Sequence, residues 1–152
     1  TRAKLQATSA MGVLASGNLF TGLFQKDLIT RGVVSFGQTY AWKARPRALK
    51  VQYFAEHIGP VDIDKKSGTW DPQEAASTEQ GKIIAYGSLF IDESSTGDRM
   101  IDTELELHFY DREAKPSGLY QLVISCSTSA YGDFMVGCTT NTMYVDDFEW
   151  VY

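Results

Sequence analysis

The stretch Asn141-Thr-Met-Tyr-Val-Asp-Asp-Phe-Glu-Trp-Val-Tyr152 has the composition of one long β-strand, since β-branched and aromatic residues dominate it and it contains no glycine or proline. Strict alternation fails once. The apolar residues Val145, Phe148 and Trp150 share a face only if the chain slips by one residue at positions 146–147. Such a slip is typical of a β-bulge. The stretch therefore predicts a kinked strand with a buried face and two carboxylates at the kink.

Six upstream segments have similar strand-forming composition, and two of them alternate clearly. In residues 48–55, Leu49 and Val51 share one face while Lys50 lies on the other, and residues 101–109 alternate even more regularly. The predicted strands are residues 33–36, 38–42, 48–55, 82–91, 101–109 and 120–127. Together with the closing strand they predict a core of Val33, Leu49, Val51, Leu105, Leu107, Phe109, Leu122, Ile124, Val145, Phe148 and Trp150.

About eight strands, turn-rich connections and the lack of a long amphipathic helix predict an all-β protein. The expected architecture is a single domain over residues 1–152, folded as an antiparallel two-sheet β-sandwich with jelly-roll topology; a barrel is the alternative. Residues 1–15 fit either a short strand or the tail of an upstream domain. Residues 57–80 read as a long polar connection, and connections of that length within a compact domain are more often functional than accidental.

The overall charge excludes one class of partner. The net charge of -5 and the lack of a basic cluster argue against a nucleic-acid backbone as a ligand. No apolar run approaches the roughly 20 residues that span a bilayer. The sequence starts at Thr1 without an initiator methionine, so we expect a mature or trimmed portion of a longer protein.

Two cysteines, Cys126 and Cys138, are too few for a metal site, and neither has a histidine beside it. Eleven residues separate them, which leaves a disulfide across a loop and two free thiols as the alternatives. Free thiols are favoured, because Cys126 alternates onto a predicted core face.

The motifs of nucleophilic and nucleotide-dependent enzymes are missing. The sequence has no Gly-x-Ser-x-Gly elbow, no phosphate-binding glycine loop, and only two histidines, His57 and His108. His108 is predicted to be exposed on its strand. Asp and Glu residues are numerous enough for the carboxylate pair of a glycosidase, but no pattern marks one pair out.

Several segments resemble a bacterial family known as the "putative carbohydrate metabolism domain", which is itself similar to jelly-roll carbohydrate-binding modules. They are Gly17-Asn-Leu-Phe-Thr-Gly22, Arg45-Pro-Arg-Ala-Leu-Lys50, Tyr131-Gly-Asp-Phe134 and Tyr144-Val-Asp-Asp-Phe148. The resemblance extends from about residue 15 to residue 152. It implies a glycan-handling protein of the cell envelope of gut bacteria such as Bacteroides, located in the periplasm, on the outer membrane or outside the cell.

Three functions are compatible with this resemblance: a non-catalytic carbohydrate-binding module, which we favour, a glycoside hydrolase or its accessory domain, and an adhesion or protein-interaction module. Sugar rings stack on aromatic side chains, and their hydroxyls bond to polar ones. The predicted ligand-binding residues are the loop aromatics and one neighbouring arginine: Tyr40, Trp42, Arg45, Trp70 and Tyr131.

Related sugar-binding jelly rolls often hold a structural Ca²⁺ where the opening segment meets the last strand. By this resemblance, Asp146 or Asp147 at the bulge would bind the ion together with Gln25 or with backbone carbonyls of residues 18–24. Two solvated aspartates at a bulge, without an ion, are the alternative.

Overall fold

The computed structural model describes residues 1–25, 33–40, 44–66, 84–110 and 120–152, and these residues form an antiparallel all-β fold. The strands are β1 (Ala3–Gln6), β2 (Thr8–Ala10), β3 (Val13–Ala15), β4 (Asn18–Phe20), β5 (Gly22–Gln25), β6 (Val33–Phe36), β7 (Gln38–Tyr40), β8 (Ala48–Glu56), β9 (Ile63–Asp64), β10 (Ala85–Tyr86), β11 (Ile101–Glu106), β12 (His108–Phe109), β13 (Tyr120–Leu122), β14 (Ser125–Ser127), β15 (Val136–Gly137) and β16 (Thr142–Val151). A single 3₁₀ turn, Gly132–Phe134, lies between β14 and β15.

The largest sheet has four strands in the order β1-β16-β8-β11. β8 and β16 are its two central strands, and their alternation gives the sheet two different faces. One face is apolar: Leu49 and Val51 of β8, Val145 of β16 and Leu5 of β1 are buried there. The other is mostly polar and includes Lys50 and Gln52.

The predicted bulge in β16 is confirmed. Asp146 lies opposite Gln52 and Glu149 opposite Lys50, so two residues of β16 face the single residue Val51. Asp147 has a φ of 50°, in the left-handed region, and its N–H bonds to the Asp146 carboxylate at 3.0 Å. Beyond the bulge the alternation resumes with Trp150 opposite Leu49.

The prediction that Phe148 belongs to the core is wrong. Val145 is 3% exposed and Trp150 is half-buried, but Phe148 is 37% exposed. The bulge places Asp147 and Phe148 together at the kink, where neither has to follow the inward-outward alternation of the flanking residues.

Other predicted core residues are only partly buried. Leu105, Leu107 and Phe109 are half-buried, because β11 is the edge of its sheet and β12 belongs to a ribbon of two strands. Leu122 and Ile124 are also half-buried. Val33 lies in β6, of which the structure describes the backbone.

Residues 1–15, read from sequence as a strand or a tail, are an integral part of this fold. β1 pairs with β16 along the edge of the large sheet, while β2 and β3 form a hairpin. Leu5, Ala7 and Leu14 are buried. Residues 1–15 therefore contribute three strands to the described fold.

Two predicted strands are broken. The segment 101–109 divides at Leu107, whose N–H bonds to the Arg47 carbonyl just before β8 begins; β12 then pairs with β10. The segment 120–127 divides between Leu122 and Ser125, where the Thr21 hydroxyl donates to the Leu122 carbonyl and accepts the Ile124 N–H.

Within the predicted strand 82–91, the described residues form only the short strand β10. A side chain at Gly87 would lie 2.7 Å from the Glu106 carbonyl oxygen, so the chain passes too close to β11 for an ordinary residue there. The described residues therefore form one four-stranded sheet and several two-stranded ribbons, all antiparallel. This confirms an all-β antiparallel fold, but not the finer expectation of a two-sheet jelly roll.

The loop after β8 is clamped to the loop before β16. The Asp62 carboxylate accepts the Thr139 N–H at 3.0 and 3.1 Å and the Thr139 hydroxyl. The Asn141 side-chain oxygen accepts the Gly59 N–H, and the Thr140 hydroxyl donates to the His57 carbonyl. The bonds from Thr139 hold the pKa of Asp62 below its usual 3.8.

Both cysteines are free thiols, as the sequence favoured. Burial raises the pKa of Cys126. Cys138 is buried beside Thr140.

Candidate functional site

The polar face of the large sheet carries two rows of side chains that cross three strands. In one row Gln52 of β8 lies between Asp102 of β11 and Asp146 of β16. In the next row Lys50 lies between Glu104 of β11 and Glu149 of β16. Each row thus places one nitrogen-bearing side chain between two carboxylates.

The bulge in β16 lies between the two rows and shapes the surface there. It borders an open depression of about 590 Å³, which we call the bulge cleft. Its lining residues are Lys50, Val51, Gln52, Asp102, Thr103, Glu104, Asp147, Phe148 and Glu149. Among the described lining residues Phe148 is the aromatic one, and it is exposed to solvent.

Two contacts fix three side chains of the lining. The Gln52 amide donates to the Asp102 carboxylate at 2.8 Å. Arg47, just before β8, forms an ion pair with Glu104 on the edge of the cleft. These contacts cross from β8 to β11 and hold the β11 side of the cleft in place.

The same face becomes cationic one row further on, outside the cleft lining. The guanidinium carbon of Arg2 lies 4.6 Å from the centroid of the Tyr144 ring, and the Lys4 ammonium lies 6.0 Å from it. Arg2 extends to the Met100 sulfur at 3.6 Å. The two basic side chains therefore cover Tyr144.

Of the predicted ligand-binding residues, Arg45 and Tyr131 are not among the described residues that line the cleft. Trp42 and Trp70 lie outside the described residues, and Tyr40 is described as a backbone position in β7, opposite Tyr120. Arg45 is half-buried, 5.7 Å from the centroid of the Phe109 ring. Tyr131 pairs with Val136 beside the 3₁₀ turn. Their role in binding stays a prediction.

The predicted calcium ligands belong to different sheets. β16, with Asp146 and Asp147, has β1 and β8 as its neighbours, whereas Gln25 ends β5 and pairs with Val33. Within the described ranges, no three His, Cys, Asp or Glu side chains are grouped so that they could hold a metal ion. Calcium binding by Asp146 or Asp147, together with Gln25 or with backbone carbonyls of residues 18–24, stays a prediction.

The sequence did not identify Phe148 as a surface residue. Nor did it show that five polar residues of three strands are neighbours on one face of the sheet: Lys50, Gln52, Asp102, Glu104 and Glu149. The signal that could have found Phe148 was the bulge itself. A residue at a kink does not have to follow the alternation on either side. Of the three predicted core residues of β16, Val145, Phe148 and Trp150, the alternation therefore supported Phe148 least.

No protein-family profile matches the sequence, and a comparison with curated proteins gives no match. The solved structures that are similar in fold include two from Bacteroides species. One is a "putative glycoside hydrolase" from Bacteroides vulgatus, with a TM-score of 0.70, 20% identity, 99% of this chain covered and 72% of the other. The second bears the same name and comes from Bacteroides thetaiotaomicron, with a TM-score of 0.66 and 17% identity.

The chain spans 53% of the Bacteroides thetaiotaomicron protein, and 99% of the chain is covered in that alignment. At these identities the similarity establishes a shared fold. In the described part of the chain, no helix is both long and apolar enough to cross a membrane.

Proposed function

We propose that this chain is a carbohydrate-binding module that holds a glycan in the bulge cleft. The observation that carries the proposal is that the exposed Phe148 lines the cleft together with polar residues from three strands. The apolar face of a sugar ring can stack on an aromatic ring while its hydroxyls bond to surrounding carboxylates, amides and amines. The cleft offers all of these on one rigid sheet.

The two similar structures support a carbohydrate-related role, because both proteins are named as putative glycoside hydrolases. An exported setting at the cell envelope belongs to the same proposal and rests on the family resemblance of the sequence.

The test compares two exposed phenylalanines. Phe148→Ala removes the proposed stacking surface, and Phe90→Ala removes a ring that is 74% exposed in a different depression. Calorimetry against neutral plant and host polysaccharides should show at least about a fivefold weaker Kd for Phe148→Ala, equivalent to about 1 kcal/mol for one stacked ring.

Phe90→Ala should bind as the unmodified protein does. If binding occurs but both variants retain it, the cleft is not the site. If no glycan binds and a protein partner is retained, the chain is an interaction module.

A glycoside hydrolase is the second candidate, and one observation favours it. Glu104 and Glu149 lie on either side of Lys50, two strand spacings apart. At about 4.8 Å per spacing their backbones are about 10 Å apart, so side chains that lean toward each other would bring the carboxyl groups into the roughly 6.5–9.5 Å range of inverting glycosidases.

A reducing-sugar assay separates the two functions. A hydrolase should release chain ends and lose this turnover in Glu149→Gln without losing its fold. A binding module should release none.

A further inference from the structure

We infer that the glycan accepted by the bulge cleft is uncharged or bears amines, and that glycans rich in carboxylates are excluded. This inference rests on the proposed function and adds the chemical class of the ligand. The site itself is carried by the cleft and the exposed Phe148 ring. The charges around that ring determine which sugars can approach it.

The lining is strongly acidic. Among the described lining residues, four are carboxylates, two from β11 and two from the bulge segment of β16, and one is a lysine: Asp102, Glu104, Asp147, Glu149 and Lys50. Asp146 adds a further carboxylate in the row of Gln52. A uronic acid placed over Phe148 would therefore bring its negative charge among several like charges.

Two of the nitrogen donors near the cleft already have partners of their own. The Arg47 guanidinium is paired with Glu104, and the Gln52 amide donates to Asp102. Lys50 lies in register between Glu104 and Glu149. Arg2 and Lys4 lie outside the lining, over the Tyr144 ring. A ligand carboxylate would have to compete with protein carboxylates or with the Tyr144 ring for these groups.

The hydrogen-bonding groups of the cleft lining also favour an uncharged or amine-bearing glycan. Ionised carboxylates only accept hydrogen bonds, so the cleft presents mainly acceptors. Sugar hydroxyls donate as well as accept, and a sugar ammonium only donates. A carboxylate on the ligand would add another acceptor to a surface that already has an excess of them.

The experiment begins with an array of neutral, amine-bearing and uronate-bearing oligosaccharides, probed with the unmodified chain and with Phe148→Ala. Chelator is present throughout, so that no divalent cation bridges carboxylates. Two matched pairs isolate charge: glucosamine oligomers against their N-acetylated forms, and oligogalacturonate against its methyl ester. Each pair is measured at 10 mM and 500 mM salt, because the Debye length falls from about 30 Å to a few ångströms over this range.

The expected result is Phe148-dependent binding confined to neutral and amine-bearing sugars. Amine-bearing forms should bind several-fold more tightly than their N-acetylated partners at low salt, and the advantage should vanish at high salt. Phe148-dependent binding of uronates equal to that of their esters would overturn the inference while leaving the proposed function intact. An array without Phe148-dependent signals would overturn both.

A variant tests the cause directly. Asp147→Asn with Glu149→Gln removes two negative charges, and asparagine tolerates the left-handed backbone at position 147. This double variant should gain affinity for uronates at low salt by several-fold and lose the preference for amines. If its ligand preference is unchanged, the carboxylates do not select the ligand and the inference fails.

Discussion

The two faces of the four-stranded sheet are built from the same strands but meet different constraints. On one face Leu49, Val51 and Val145 are buried, so their shape and polarity are determined by packing. On the other face Lys50 and Glu149 are exposed, and their neighbours across the strands are charged. Adjacent residues of a single strand therefore differ in whether packing restricts their side chains. Substitutions at neighbouring positions test this difference.

The largest expected effect is on the buried face. Leu49→Ala should lower the free energy of unfolding by about 2–5 kcal/mol, because it removes buried methyl groups and leaves a cavity. Its neighbour Lys50→Ala, on the exposed face, should change it by no more than about 0.5 kcal/mol. Urea unfolding measures both variants. Equal losses in the two would contradict the distinction between the faces.

The bulge interrupts the inward-outward alternation of β16. The second prediction tests whether it needs the left-handed backbone at Asp147. Asp147→Val should destabilise the fold by about 1–2 kcal/mol, since a β-branched residue is disfavoured at a φ of 50°. Asp147→Gly should be at least as stable as the unmodified chain.

Glu149→Val is the matched control for the bulge, because position 149 lies in register opposite Lys50. Chemical denaturation should place it close to the unmodified chain. A stable Asp147→Val protein would mean that β16 can pair with β8 without the left-handed residue.

The smallest effect concerns a carboxylate outside both faces. The folded-state pKa of Asp62 is lowered by its bonds to Thr139, so its stabilising contribution is fully present above about pH 3.8 and is lost as the pH falls through the folded-state value. The difference in melting temperature between the unmodified chain and Asp62→Asn should therefore shrink on acidification below about pH 4. The effect should be small, because the carboxylate is exposed and screened by solvent.

Asp98→Asn, in the exposed segment that precedes β11, is the control for this pH series. A difference between the unmodified chain and Asp62→Asn that stayed constant from pH 7 to pH 3 would show that the clamp does not depend on the charge of Asp62.

The sequence by itself determined the antiparallel all-β class, the strands β6 and β8, the bulge in β16 and the burial of Leu49, Val51 and Val145. These features are local: alternation with a period of two and a single slip in it can be read from consecutive residues. The role of residues 1–15 could not be read in this way, because the burial of Leu5 depends on the pairing of β1 with a strand about 140 residues away.

Only the tertiary structure decided the composition of the candidate site. The pairing register brings Glu104, Lys50 and Glu149 into one row, although they come from three distant parts of the chain. The same pairing places the bulge beside residues of β8 and β11, so that the three strands together line the bulge cleft and Phe148 is an exposed part of that lining. Alternation within a strand states which residues share a face, but it cannot state which strands lie side by side, because that depends on long-range hydrogen bonds and on the burial of the opposite face.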